Sequence, residues 1–140
     1  MQTKTLDYGL LIIRIVLGIV MVAHGAQKLF TFGHAGVAGG FAQLGMPAPA
    51  IAAALIIAVE FGGGLLMLAG LFTRFAGAAF AFAMLVASVQ VHLPNGFFMP
   101  TGYEFTLTLG AIALGLALTG PGRFSADALI AGRRTGALPA

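Results

Sequence analysis

Residues 8–30 read YGLLIIRIVLGIVMVAHGAQKLF, and this apolar stretch decides the fold class. It is long enough to cross a bilayer, because a transmembrane helix needs roughly 20 mostly apolar residues. Arg14 lies inside the run, and no small-residue cleavage site precedes His24, so the segment is typical of a retained helix rather than of a secretory signal peptide. The stretch therefore predicts an integral membrane protein.

The composition of the whole chain supports this prediction. Of the 140 residues, 59% are hydrophobic and 8% are charged, and the mean hydropathy is +1.01. A soluble domain has about 25% charged residues. The long unbroken apolar runs do not fit a membrane β-barrel, whose segments of about ten residues alternate between apolar and polar side chains. The lipid bilayer is thus the expected surrounding, and no basic run with interleaved aromatic residues indicates a nucleic-acid partner.

Proline and glycine divide the rest of the chain into further spans. We predict four helices, at about residues 8–30, 50–72, 75–92 and 103–119. In the glycine-rich segment between the first two, Phe32, Val37, Phe41 and Leu44 are spaced like one face of a short interfacial helix. The predicted fold is all-α, a four-transmembrane-helix antiparallel bundle. One membrane domain covers residues 1–127, and a polar cytoplasmic tail covers residues 128–140.

The positions of the basic residues predict the orientation. With four spans, both termini and the turn at Thr73–Arg74 lie on one side of the membrane. That side has five of the seven Lys and Arg residues: Lys4, Arg74, Arg123, Arg133 and Arg134. Arg14 lies within a span, and Lys28 flanks the other side. Because positive residues are enriched in cytoplasmic loops, both termini are predicted on the cytoplasmic side. The predicted location is the inner membrane of a bacterium.

Small and ionisable residues within the spans indicate how the helices meet. The run Gly62–Gly64 favours tight helix packing, with a hinge or a close approach of a ligand as the alternative. Arg14 and Glu60 fall near mid-depth on antiparallel helices, and each is costly alone in lipid. We therefore predict that they form a buried ion pair, which is either structural or part of a proton or substrate site.

A second polar group gathers at the predicted outer side. It comprises His24, Gln27 and Lys28 at the end of the first span, His92 and Asn95 after the third, and Tyr103 and Glu104 at the start of the fourth, with Phe97 and Phe98 as an apolar lip. Lys28 and Glu104 are expected to neutralise each other, which leaves two imidazoles to exchange protons. Each histidine is also readily explained as a hydrogen-bonded interfacial residue. No H-x-x-H or E-x-x-H spacing indicates a metal site.

Several short motifs follow one another in a specific order along residues 10–127. They are Arg14…Gly18…His24-Gly25-Ala26-Gln27-Lys28-Leu29-Phe30, Leu44-Gly45-Met46-Pro47, Glu60-Phe61-Gly62-Gly63, Leu71-Phe72-Thr73-Arg74, His92…Asn95-Gly96-Phe97-Phe98, Gly102-Tyr103-Glu104 and Gly120-Pro121-Gly122-Arg123…Ser125…Asp127. In this order and spacing, the chain resembles the DoxX family of small bacterial membrane proteins.

The resemblance implies a four-helix membrane protein with a redox role. The family takes its name from a membrane thiosulfate:quinone oxidoreductase, so the implied function is a quinone-interacting membrane subunit of an oxidoreductase system. The chain has no cysteine, and dithiol chemistry is therefore excluded for this chain by itself. A redox role would need a bound quinone, a haem or metal, or a redox partner protein.

The candidate site residues follow from what a quinone headgroup needs, namely donors to its carbonyl oxygens and a route for protons. We assign His24, His92 and Glu104 as candidate catalytic residues, and Gln27, Lys28, Asn95, Phe97, Phe98 and Tyr103 as candidate cofactor-binding residues. A haem between His24 and His92 ranks below a quinone because both lie near the outer surface. The alternatives are a small-molecule or ion transporter, a membrane assembly factor, and a subunit whose polar residues only fix the helix register.

Overall fold

The structure is a computed structural model that describes residues 2–135. Every regular element in that range is helical, which confirms the all-α prediction. The first half of the chain forms α1 (Gln2–Ala26), the π-helical segment π1 (Gln27–Phe32), α2 (Gly33–Gln43), α3 (Pro49–Ile57), π2 (Ala58–Gly62) and α4 (Gly63–Ala69). The second half forms α5 (Thr73–Ala87), the π-helical segment π3 (Ser88–His92), a 3₁₀ turn (Leu93–Asn95), α6 (Glu104–Thr119) and α7 (Ala126–Thr135).

Three helical runs of the described chain are long and apolar enough to cross a membrane: Lys4–Gln43, Pro49–Ala69 and Thr73–Asn95. The apolar helix α6 is shorter, with 16 residues. It rises roughly 24 Å, whereas the hydrocarbon core of a bilayer is about 30 Å thick. The arrangement is compatible with a helical membrane bundle, and four antiparallel spans remain a prediction.

The core of the bundle is narrow, and large apolar side chains cover its outside. Leu17, Met21, Met67, Phe80 and Leu116 are almost completely buried where α1, α4, α5 and α6 meet. The outer faces expose equally large side chains, among them Ile12, Val16, Ile19, Phe75 and Phe82. An apolar exterior of this size is unfavourable in water and favourable in lipid.

Close contacts of small residues set the register between α1 and the π2–α4 segment. The contacting pairs are Gly18 with Leu68, Val22 with Gly64, and Gly25 with Phe61. A Cβ atom at Gly64 would lie 2.8 Å from the Val22 backbone nitrogen, so the predicted tight packing is confirmed there. A Cβ at Gly62 would meet nothing within 4 Å, and that glycine does not serve the packing.

The connection between α4 and α5 contains two residues with a left-handed backbone conformation. Gly70 closes α4 with φ +67°, and Phe72 precedes α5 with φ +50°. The turn therefore lies at residues 70–72, earlier than the predicted Thr73–Arg74, and Thr73 is already the first residue of α5.

The segment after π1 is a separate short helix. Gly33 has φ 66° and ψ 161°, values outside the helical region, so the chain changes direction there. Val37 is then buried against Ala53 and Ile57 of α3, with Phe41 packed beside them. Helix α2 thus forms a hairpin with α3, and its location at a membrane interface stays a prediction.

Candidate functional site

Lys28 and Glu60 form an ion pair between the two π-helical segments π1 and π2. The Lys28 Nζ atom donates a hydrogen bond to Glu60 Oε2 over 2.6 Å. The Glu60 side chain is 5% exposed and that of Lys28 is 21% exposed. The pair is therefore largely enclosed by protein, with limited access from the Lys28 side.

The local backbone explains why these two side chains meet. Gly25 lies directly against the backbone of Phe61, so the backbones of α1 and π2 are in close contact there. Lys28 follows Gly25 by about one turn, and Glu60 precedes Phe61. π-Helical turns insert an extra residue and redirect the side chains around it, and they are frequent at functional sites. The two π segments thus bring the charged side chains into contact across this close approach.

An aromatic pair borders the ion pair. The rings of Phe30 and Phe61 meet edge to face, with their centroids 5.9 Å apart and their planes at 86°. Phe61 follows Glu60 directly in the chain, whereas the Phe30 side chain is largely exposed on the outer face of the bundle. The site therefore combines a buried charged pair with an aromatic surface that reaches the exterior.

The predicted Arg14–Glu60 ion pair is wrong. The Arg14 guanidinium instead donates hydrogen bonds to the carbonyl oxygens of Met67 (2.8 Å), Leu68 (2.8 Å) and Phe124 (2.6 Å). In the register set by the glycine contacts, Glu60 lies level with Ala26, roughly 18 Å along the axis from Arg14. The residue in position to neutralise Glu60 is Lys28.

Arg14 belongs to a group of polar side chains that bind backbone groups at helix ends and in the adjoining turns on one side of the bundle. We call this group the capping network. Arg74 donates to the carbonyl oxygens of Ala117, Leu118 and Thr119 at the end of α6. Asp127 accepts the backbone amides of Phe72 and Thr73 at the start of α5. Asp7 accepts the amide of Arg123 over 3.0 Å. The contacts of Arg74 and Asp127 satisfy terminal backbone groups that a helix leaves unpaired. The three carbonyl acceptors of Arg14 explain this intramembrane residue by structure.

The members of the predicted outer group lie on two parts of the chain. One is the loop between π3 and α6, where His92 Nδ1 donates to the Thr101 carbonyl (2.8 Å) and Glu104 accepts the Met99 amide (2.6 Å). Asn95 also donates to the Val91 carbonyl over 3.1 Å. The remaining members at this loop are aromatic: the Phe97 ring lies 5.3 Å from the rings of both Phe98 and Tyr103.

The other part is the end of the first helix, where His24 lies near the start of α6. His24 is exposed, donates to the Val20 carbonyl over 2.9 Å, and lies 6.0 Å from the Phe105 ring. Gln27 is exposed at the start of π1. The prediction that Lys28 and Glu104 neutralise each other is wrong, because Lys28 pairs with Glu60 and Glu104 binds a backbone amide.

Lys28 and Glu60 are both predicted to be site residues, but the sequence pairs each of them with a different partner. The signal that could have paired them is the spacing of Gly18 and Gly25 on the first helix, which fixes where the second span lies against it. Among residues 2–135, no group of three or more His, Cys, Asp or Glu side chains could hold a metal ion.

Comparison with known proteins supports the resemblance found in the sequence. The profile of the DoxX family matches residues 9–93. "Putative oxidoreductase CatD" of Bacillus subtilis (strain 168) is 34% identical over 119 residues, which cover 85% of this chain and 84% of the relative. "Inner membrane protein YqjF" of Escherichia coli (strain K12) is 32% identical over 133 residues, which cover 91% of this chain and 95% of the relative. No solved structure matches the chain. With a family profile over most of its length and relatives that match along nearly the whole of theirs, the chain belongs to the DoxX family of membrane proteins.

Proposed function

We propose that this protein is the membrane subunit of an oxidoreductase system and that a quinone headgroup binds at the Lys28–Glu60 pair. The observation that carries the proposal is the enclosed ion pair between π1 and π2. An ionisable pair inside an apolar bundle is costly and is a functional-site hypothesis by default. The name of the relative CatD, which includes the word oxidoreductase, supports a redox role.

The residues at the pair fit a quinone. A lysine ammonium has three N–H donors, and one of them binds Glu60, which leaves two for the carbonyl oxygen of a ligand. Phe61 and Phe30 supply flat apolar surface next to the charges. Because Phe30 is exposed on the outside of the bundle, an isoprenoid tail can extend from the site into lipid.

The chemistry would be divided between this chain and a partner. A bound quinone supplies two-electron redox capacity, and its reduction to quinol takes up two electrons and two protons. The chain has no cysteine to pass on electrons, so a redox partner protein would supply them. Lys28 would orient a carbonyl oxygen by hydrogen bonding, and the Glu60 carboxyl group would hold the proton. In this proposal, His24, His92 and Glu104 exchange protons with water at the outer surface.

Quinone retention tests the proposal. The protein, purified in a mild detergent from its own membranes, is extracted with organic solvent, and quinone is quantified by mass spectrometry per mole of protein. The double variant Lys28→Met/Glu60→Gln removes both charges together and leaves neither unpaired. We expect it to lose most of the quinone, while Lys4→Met, which removes an exposed cation, retains it.

Two results would overturn the proposal: wild-type protein that carries no quinone, or a folded double variant that carries as much as wild type. Wild-type protein that carries no quinone would favour the non-redox alternatives, which are a transporter or a membrane assembly factor.

A further inference from the structure

Helix α7 is held at the end of the bundle where α4 ends and α5 begins. The Asp127 amide donates to the Gly70 carbonyl over 2.9 Å, and the Asp127 carboxylate accepts the amides of Phe72 and Thr73. Ser125 Oγ accepts the Ala128 amide and caps the first turn. Since Pro49–Ala69 and Thr73–Asn95 are apolar runs of membrane-spanning length, their junction marks the level of a membrane surface. The start of α7 is fixed at that level.

The next residues of α7 are apolar and uncovered. Leu129 is 54% exposed and Ile130 is 41% exposed, whereas Asp127 and Ala128 are half-buried against the bundle. Exposed Phe72 and Phe124 lie at the same end, so the apolar surface of α7 continues the apolar exterior of the spans.

Basic residues accompany this apolar surface. Arg123 lies over the Phe124 ring, 5.5 Å from its centroid. Arg133 and Arg134 follow four residues after Leu129 and Ile130 in the sequence, so the segment that carries the apolar residues is also basic. A short helix with apolar residues and arginines is typical of segments that lie in the headgroup region of a bilayer.

We propose that α7 is a docking surface for the membrane itself, with Leu129 and Ile130 inserted at the acyl boundary and the basic residues of this segment attracting anionic phospholipid headgroups. The occupant is the leaflet on the α7 side of the same bilayer that the spans cross. This site lies apart from the Lys28–Glu60 pair and does not depend on the proposed quinone function.

The chain has no tryptophan, so one introduced indole reports on its own surroundings. Full-length Leu129→Trp is reconstituted into phosphatidylcholine vesicles with and without phosphatidylglycerol, in which the phosphatidylcholine is brominated near the headgroup end of its chains to quench nearby indoles. We expect strong quenching in the anionic vesicles and weaker quenching in the neutral ones. Adding Arg133→Gln and Arg134→Gln should lower the docked-to-undocked ratio roughly 30-fold, from the free energy of about 1 kcal/mol per basic residue at an anionic surface.

Leu114→Trp is the matched control, because Leu114 is exposed on α6 and its indole should be quenched equally in both kinds of vesicle. If the indole of Leu129→Trp is unquenched in anionic vesicles while the control is quenched, α7 does not dock on lipid. If the two arginine substitutions leave the quenching unchanged, α7 does not bind anionic headgroups through these residues.

Discussion

Lys28 and Glu60 depend on each other for their stability in the bundle. Removing one partner of an enclosed ion pair leaves an uncompensated charge, which costs about 3–5 kcal/mol, whereas replacing both with neutral groups is often close to neutral. The asymmetry is sharpest for Glu60, whose side chain is 5% exposed. The single and the double substitution therefore separate the contribution of the pair to stability from its contribution to function.

We expect Lys28→Met alone to destabilise the protein by about 3 kcal/mol, and Lys28→Met/Glu60→Gln to recover most of that loss. Unfolding in mixed detergent micelles, followed by circular dichroism, measures both. Equal stability of Lys28→Met and wild type would show that the pair is solvated.

Gly25 is the residue that allows π2 to approach α1. A Cβ atom there would overlap the Phe61 backbone, which cannot move without shifting Glu60. We expect Gly25→Ala to destabilise the bundle by about 1–3 kcal/mol, the cost typical of overpacking. Gly62→Ala is the control, since its Cβ would meet nothing within 4 Å. Thermal unfolding of both variants in one detergent gives the comparison, and similar losses in both would contradict the argument.

Side chains from distant parts of the chain form hydrogen bonds with backbone groups at the helix ends on the α7 side. Arg14 from α1 binds the end of α4, Arg74 from α5 binds the end of α6, and Asp127 from α7 binds the start of α5. Guanidinium groups complement the negative end of a helix dipole and carboxylates the positive end. Arg14 is thus placed by helix capping, although its position in an apolar span suggested a functional site.

The cap at α5 predicts a graded effect of substitutions at Asp127. Asp127→Ala leaves the amides of Phe72 and Thr73 without their acceptor and should cost about 1–2 kcal/mol. Asp127→Asn keeps a side-chain oxygen and should cost less. Denaturation of the two variants in detergent would show this order, and a larger loss in Asp127→Asn than in Asp127→Ala would contradict the capping role.

The capping network lies at the end of the bundle where α7 begins, and five of the seven basic residues of the sequence are predicted on that side together with both termini. We expect reporter fusions at the C-terminus and within residues 96–101 to report opposite compartments, with the C-terminus cytoplasmic. Matching compartments would show that α6, which is shorter than the bilayer core, does not cross it.

The sequence carries the helical class and the identity of the charged residues, but only part of the site. Apolar runs and the prolines and glycines between them indicate the helices directly. The pairing of Arg14 was wrong because its acceptors are backbone carbonyls, which no residue type in the sequence reveals. The positions of the span ends predict that Lys28 pairs with Glu104, whereas the contact of Gly25 with Phe61 sets the actual register. Side-chain partners in a bundle thus follow from helix register, which hydropathy does not determine.

The three acceptors of Arg14 also impose an order on biosynthesis. Met67 and Leu68 belong to α4, but Phe124 is made only after α5 and α6. Arg14 is 2% exposed in the complete bundle. Before Phe124 is made, Arg14 lacks one of its three acceptors while the first span is already in the membrane. We expect chains ending at Arg123 to be degraded faster in pulse-chase experiments than chains ending at Ser125, which lack Asp127 equally but supply the Phe124 carbonyl. Equal half-lives would contradict this. A backbone carbonyl made after α6 would then decide whether the first helix is kept.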